Sequence, residues 1–281
     1  MVIFNEIAPL QAYLRAKKRD GKSIGLVPTM GALHEGHLSI IEASKAQNEL
    51  TVCSIYVNPT QFNNPDDLLK YPRTLDKDTN ALEKVECDAL FYPENHEMYG
   101  EPSALKFQFG HLETVMEGKF RPGHFSGVAL VVSKLFHIVE PDHAYFGQKD
   151  WQQFAIISQL VRELKFNIHL HSIPTLREKD GLAMSSRNLR LSTTQRTEAL
   201  FFFRALSLAK DSFRQGASVA QVKQQIEEFS KLNAGVRLEY FEVAESQNLK
   251  LLENVKAATR PIMCIAGFVG DVRLIDNMFI D

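Results

Sequence analysis

The stretch SIGLVPTMGALHEGHLSIIEASKAQN, residues 23–48, changes its hydrophobic period halfway along. Its first part, 23–29, is a short apolar run around Ile24, Leu26 and Val27, the pattern of a buried strand. Its last part, 36–48, reads as a helix with Leu38, Ile41 and Ala43 inward. The link between them, Pro28-Thr29-Met30-Gly31-Ala32-Leu33-His34-Glu35-Gly36-His37, holds two glycines and two histidines. A strand that passes through a glycine loop into a helix is the first half of a βαβ unit, which returns its next strand parallel to the first.

The alternation continues beyond this unit. Residues 51–57, 88–92, 143–147 and 167–173 read as strands, and 74–85, 127–139 and 150–164 as helices between them. The 127–139 run is very apolar, and Pro141 stops it. In 150–164, Trp151, Phe154, Ile157, Leu160, Val161 and Leu164 recur at helical spacing, with Asp150 placed to cap. This order predicts an α/β chain with a Rossmann-like, doubly wound parallel sheet, whose ligands sit at the carboxyl ends of strands. After Thr175 the order changes. Arg177-Glu178-Lys179-Asp180-Gly181 reads as a charged hinge or exposed loop. Ser192-Thr193-Thr194-Gln195 fits a capping box that opens a helix to residue 215, and Ser218-Val219-Ala220-Gln221 opens another. Strands follow at 236–245, 261–269 and 272–275, the last two joined through Gly270-Asp271. The expected division is a Rossmann-like ligand-binding domain over 1–175 and a smaller C-terminal α+β lid domain over 176–281.

Composition narrows the function classes. The chain has 281 residues, 44% hydrophobic and 23% charged, with a net charge of −2. A chain this long buries a large core without a disulfide or metal staple. Its charge argues against a nucleic-acid partner. No apolar run approaches the ~20 residues that span a membrane. Cys53, Cys87 and Cys264 are widely spaced, form no C-x-x-C and sit in or beside apolar runs, as buried reduced thiols do. The N-terminus lacks the basic-then-apolar order of a signal peptide. The expected compartment is the cytoplasm.

Four constellations carry chemistry. In the first, Gly31 and Gly36 let backbone approach a ligand, and a helix starting near Gly36 offers free N–H groups to phosphate. His34 and His37 share that helix start, where imidazole N–H groups can stabilise charge on phosphoryl oxygens. A zinc reading fails, because the zincin pattern needs histidines four apart on a formed helix. The second, Met184-Ser185-Ser186-Arg187-Asn188, joins two hydroxyls to a guanidinium in a compact phosphate clamp. The third, Phe146-Gly147-Gln148-Lys149-Asp150, ends a strand. Lys149 can neutralise a phosphate there, and Asp150 can bind a ribose hydroxyl or cap the following helix. The fourth, Asn58-Pro59-Thr60-Gln61-Phe62, places an uncharged amide at a strand end. Gln61 and Gln153 can hold hydroxyls and a carboxylate that has to stay nucleophilic.

With these residues in this order, the chain resembles the pantothenate synthetase (pantoate–β-alanine ligase) family over nearly its whole length. That family lies within the H-x-G-H nucleotidylyltransferase-like adenylylating superfamily. The resemblance rests on PTMGALHEGH (28–37), NPTQF (58–62), YPR (71–73), FRPGHFSG (120–127), FGQKD (146–150) and PTLREKDGLAMSSRN (174–188). The family usually carries Glu where Gln148 stands, and the match weakens after Asn188. Class I aminoacyl-tRNA synthetases of the same superfamily have a mobile lysine-and-serine loop, in which Arg187 would replace a lysine.

The resemblance implies an ATP site formed by Met30, Gly31, Ala32, Leu33, His34, Glu35, Gly36 and His37. Gly147, Gln148, Lys149, Asp150, Leu176, Met184, Ser185, Ser186 and Arg187 would complete it. His37 is expected to donate a proton or stabilise the transition state, with His34, Lys149, Ser185, Ser186 and Arg187 around the triphosphate. Gln61 would contact both pantoate and β-alanine, and Gln153 would contact pantoate. The implied reaction belongs to vitamin B5 and coenzyme A biosynthesis: ATP and (R)-pantoate give pantoyl-adenylate, which β-alanine converts to pantothenate with release of AMP. The family is a magnesium-dependent homodimer. With no metal-ligand cluster legible, Mg2+ is expected on the ATP phosphates and water. A nucleotidylyltransferase, which leaves the nucleotide on its product, and a non-catalytic nucleotide-binding module are the alternatives. Product analysis separates the three.

Overall fold

The computed structural model describes residues 1–101 and 103–280; Asp281, the last residue of the expected second domain, lies outside them. The first part of the chain forms β1 (Val2–Phe4), α1 (Ile7–Arg19), β2 (Ile24–Thr29), α2 (Glu35–Lys45), β3 (Leu50–Ile55), α3 (Pro65–Leu69) and α4 (Leu75–Lys84). Next come β4 (Ala89–Phe91), α5 (Asn95–Met98), α6 (Met116–Phe120), α7 (His124–Val139), β5 (His143–Gly147), α8 (Trp151–Leu164) and β6 (His169–Ile173). The rest forms α9 (Thr193–Glu198), α10 (Leu200–Arg214), α11 (Val219–Lys231), β7 (Val236–Glu245), β8 (Pro261–Val269) and β9 (Val272–Phe279).

Six parallel strands form one sheet in the order β1-β4-β3-β2-β5-β6. Both faces are covered, so the central strands are apolar in both directions. In β3, Leu50 and Val52 enter the core that holds α1, α7 and α8, while Cys53 and Ile55 enter the core beneath α2 and α4. Each such side chain, once buried, contributes ~1.5–3 kcal/mol. Helix α7 is buried nearly all round, which explains its apolar sequence, and it stops where Glu140 turns left-handed (φ 48°) before Pro141.

The second sheet is antiparallel, β7-β8-β9. Its strands alternate between two partners. Ile262 and Cys264 of β8 join the core of the large sheet, whereas Met263 and Ile265 pack with Phe201, Phe202, Val222 and Ile226 of α10 and α11. The capping boxes at Ser192 and Ser218 both form. Polar ties reinforce the contact between the units: Trp151 Nε1 donates to the Ser246 carbonyl at 2.9 Å, and Arg273 makes a two-pronged pair with Glu117 at 2.7 and 2.8 Å. The three cysteines are free and buried, and burial pushes each thiol pKa up. Among the described residues, no helix is long and apolar enough to cross a membrane.

Several expectations change. β1 and α1 have no counterpart in the sequence reading. The last strand runs to Phe279, because Asp276 and Asn277, which look like a polar strand end, are buried with partners from distant segments. Leu164 is 51% exposed, on the final turn before left-handed Lys165. The 177–181 segment is no free hinge. Arg177 bridges to Ala183 and pairs with Asp276 at 2.6 and 3.0 Å, and Arg196 binds Glu178 and Asp180 at 2.6 and 3.0 Å. Gly181 (φ 98°) is buried, where a Cβ would strike the Phe203 ring at 2.2 Å.

Candidate active site

The chain leaves β2 toward β3 and β4 on one side and reaches β5 and β6 on the other, so the winding reverses between β2 and β5. A crevice opens at the carboxyl ends of such a strand pair. Here the loops after Thr29 and Gly147 meet in one cleft.

The loop after β2 turns through two left-handed residues, Gly31 (φ 78°) and Ala32 (φ 49°). Asp78 of α4 holds this costly turn. Its two carboxylate oxygens accept the backbone N–H groups of Ala32 at 2.9 Å and Leu33 at 2.8 Å. Helix α2 then starts at Glu35 with His34 as its N-cap residue. The His34 and His37 rings lie 4.0 Å apart, and the His34 backbone N–H donates to His37 Nδ1 at 3.4 Å. An Nδ1 that accepts leaves the proton on Nε2, so His37 carries a free N–H. Burial, and then Lys149, lowers the His34 pKa to about 4. Burial, with His34 and Lys149 behind it, holds His37 well below its usual value. Both imidazoles are therefore neutral at pH 7. His34 Nδ1 is buried without a hydrogen-bond partner among the described residues.

The loop after β5 carries Lys149 and Asp150 on the cleft wall. Its backbone is fixed by Asn277 of β9, whose Nδ2 donates to the carbonyls of Gln148 at 2.9 Å and Lys149 at 2.8 Å. Asp150 occupies the N-cap position of α8 but makes no capping hydrogen bond, so its carboxylate is open to a ligand. Opposite lies the 184–187 loop. Asn188 Nδ2 anchors it by donating to the Ala183 carbonyl at 3.1 Å, and the Ser185 hydroxyl accepts the Arg187 N–H at 3.2 Å. Arg187 reaches the cleft but pairs with Asp67 at 3.2 Å.

A third wall has no charge. Asn58 Nδ2 donates to Gln61 Oε1 at 3.0 Å and to the Gly127 carbonyl at 3.1 Å, which fixes the buried Gln61. Gln61 Nε2 lies 3.0 Å from Met30 Sδ. Val128, Val131, Val132 and Leu135 of α7 line the same cleft, as does Gln153 of α8.

The cleft thus brings together Met30, His34, Gly36, His37, Gly147 and Lys149. It also holds Asp150, Leu176, Met184, Ser185, Ser186 and Arg187, with Gln61 and Gln153. Gly31, Ala32, Leu33, Glu35 and Gln148 are not on its wall. Gly31 lines a neighbouring cavity, Ala32 and Leu33 shape the turn, Glu35 is exposed, and Gln148 faces Asn277. The sequence reading did not single out Asp78, Asn277 or the α7 stripe. An acid on a helix reads as surface, and an all-apolar helix hides which face meets a ligand.

The family model described as pantoate-beta-alanine ligase matches residues 2–279. A pantothenate synthetase of Bacteroides fragilis is 47% identical over 278 residues, covering 99% of this chain and 98% of that protein. One from Caldicellulosiruptor bescii is 43% identical over 282 residues, covering 100% and 99%. The crystal structure of pantothenate synthetase from Thermus thermophilus superposes with a TM-score of 0.93 at 39% identity, covering 99% of each chain. That of pantoate-beta-alanine ligase from Francisella tularensis, complexed with beta-gamma ATP and beta-alanine, gives 0.82 at 35% identity, covering 99% and 97%.

Proposed function

The chain belongs to the pantoate-β-alanine ligase family, and from that premise we propose how its cleft joins (R)-pantoate to β-alanine with ATP. The observation that carries the reading is one cleft lined both by His34, His37, Lys149, Ser185, Ser186 and Arg187 and by Gln61, Gln153, Val128, Val131, Val132 and Leu135; we divide these into a phosphate set and an uncharged pantoate set. A carboxylate that attacks phosphorus needs its acceptor neutralised and itself left unpaired, and this division supplies both.

ATP lies along the loop after β2, with its phosphates at the start of α2 and its ribose toward Asp150. His37 Nε2–H, Lys149, Ser185, Ser186 and Arg187 surround the phosphates, and a donor from the nucleotide satisfies the buried Nδ1 of His34. Pantoate lies on the uncharged wall. Gln61 and Gln153 hold its hydroxyls and carboxylate, and its gem-dimethyl group meets the valines of α7. A carboxylate oxygen attacks the α-phosphorus, the bond to the bridging oxygen breaks, and pyrophosphate leaves with that electron pair. The amine of β-alanine, placed by Gln61, then attacks the acyl carbon. A C–N bond forms, the acyl C–O bond breaks, AMP leaves and the ammonium proton passes to solvent. Alignment and preset donors do the work, with no covalent enzyme intermediate.

Asp150 is the one carboxylate among the described residues on the wall, and no described group of three or more His, Cys, Asp or Glu could hold a metal. This donor set fits magnesium carried by the nucleotide's phosphates, where it supplies charge neutralisation. The same proposal includes a domain boundary at 175/176, a homodimer and a cytoplasmic location. Light scattering after gel filtration checks the dimer. The reaction is tested by pyrophosphate exchange: pantoate without β-alanine should support exchange of labelled pyrophosphate into ATP. Exchange that strictly requires β-alanine refutes the two-step route.

A further inference from the structure

Arg187, the guanidinium assigned to the phosphates, already has an acidic partner. Asp67 stands on α3, just beyond the turn that carries Gln61. Its two oxygens serve different arginines: Oδ2 accepts from Arg187 Nη2 and Oδ1 from Arg190 Nη1, both at 3.2 Å. These two Asp67 contacts tie the Gln61 segment to the phosphate-binding loop and the residues just after it.

These contacts are built to exchange. At 3.2 Å they exceed the ~2.7–2.9 Å of strong charge-assisted bonds. The side chains of Asp67, Arg187 and Arg190 are 28%, 29% and 31% exposed. Such a pair is worth at most about fivefold in an equilibrium (~1 kcal/mol at 1.4 kcal/mol per tenfold). A triphosphate, with several negative charges, outcompetes one carboxylate. Asp67 is not stranded when Arg187 turns away, because Arg190 stays on its other oxygen.

We propose that Asp67 is a positioning residue for adenylation: it holds Arg187 beside the cleft until the nucleotide arrives, then yields it to the phosphates while keeping Arg190. This rests on the assignment of Arg187 to phosphate. Arg190 acts as the spare counter-charge that makes the exchange reversible.

The two ends of the network have opposite effects. In Asp67→Asn, Arg187 has no competing acid, so ATP with magnesium binds up to about fivefold more tightly. In Arg190→Ala, Asp67 has only Arg187, so ATP binds more weakly. Calorimetric titration of each variant, alone and combined with Arg187→Ala, measures both. A merely structural role would weaken binding in both. Loss of both shifts when Arg187 is absent supports the exchange. Persistence of the shifts in the Arg187→Ala background would reveal a general field effect and overturn it. A parent protein that binds ATP, with variants that do not differ from it, overturns the exchange and leaves the proposed reaction standing. A parent protein that binds no ATP overturns both.

Discussion

Gly127→Ala gives a sharp test of the uncharged wall. Gly127 lies in the first turns of α7, where alanine ordinarily favours a helix over glycine by ~1 kcal/mol. Here a Cβ would stand 2.3 Å from the Thr60 carbonyl oxygen, 2.6 Å from its carbon and 2.8 Å from the Gln61 nitrogen. All three are backbone atoms, so no side chain can rotate away. Ordinary contact begins at 3.4 Å, and the turn at 60–61 must retreat by roughly 1 Å. Asn58 links Gly127 to Gln61, and the retreat carries the Gln61 amide with it. A displacement of this size costs on the order of 10²-fold in a positioned reaction. Overpacking adds ~1–3 kcal/mol of destabilisation. Rapid-quench measurement of pantoyl-adenylate in a single turnover, beside thermal melting and ATP titration, separates the effects. The expected variant folds, binds ATP normally and adenylates about a hundredfold more slowly. A variant with the parent's single-turnover rate would refute the argument that Gly127 sets the position of Gln61.

His37→Ala should slow single-turnover adenylation by about 10²–10³, the scale for one transition-state donor, while the fold stays intact; a parent-like rate in a folded variant removes His37 from the chemistry. Gln153→Ala should weaken pantoate binding roughly 2- to 12-fold, the worth of one neutral hydrogen bond, and a selective loss of ATP affinity in calorimetry would reverse its assignment. Stability should fall as pH drops from 6.5 toward about 4. In that window the unfolded His34 binds a proton that the folded one refuses, and His37 acts in the same direction. Melting temperatures that rise across the window, or a slope unchanged in His34→Asn, would contradict this.

The large sheet was legible because its strands and helices each keep one period for long enough to register. The 23–48 unit is the best case, since Ile24, Leu26 and Ile41 are all completely buried. β1 escaped notice because three residues cannot display a period, and α1 because its stripe consists of only Leu10 and Leu14 fully buried among basic residues. At the site, His34, His37 and Lys149 stood out because glycine-rich loops beside strands leave them little structural purpose. Asp78 and Asn277 did not, because their roles exist only across 46 and 128 residues of separation. The Arg177–Gly181 segment was legible as a loop with Lys179 and Asp180 exposed, but its anchoring was not, for a related reason. A run of charges looks solvated unless the opposite charges at Asp276 and Arg196 are known to face it.

The hold of Asn277 on the Lys149 backbone has a consequence for the order in which the protein becomes competent. Lys149 leaves the ribosome 128 residues before the side chain that fixes it. During that interval β6 is added and the parallel sheet can assemble, and once Arg187 is made every residue lining the cleft is present. The lysine loop, however, still lacks the amide that sets its carbonyls. A nascent chain stalled before Val272 would carry the whole set of phosphate-binding side chains and yet present them slackly. Synthesis of β9 is therefore the step that supplies the amide fixing the lysine loop's backbone.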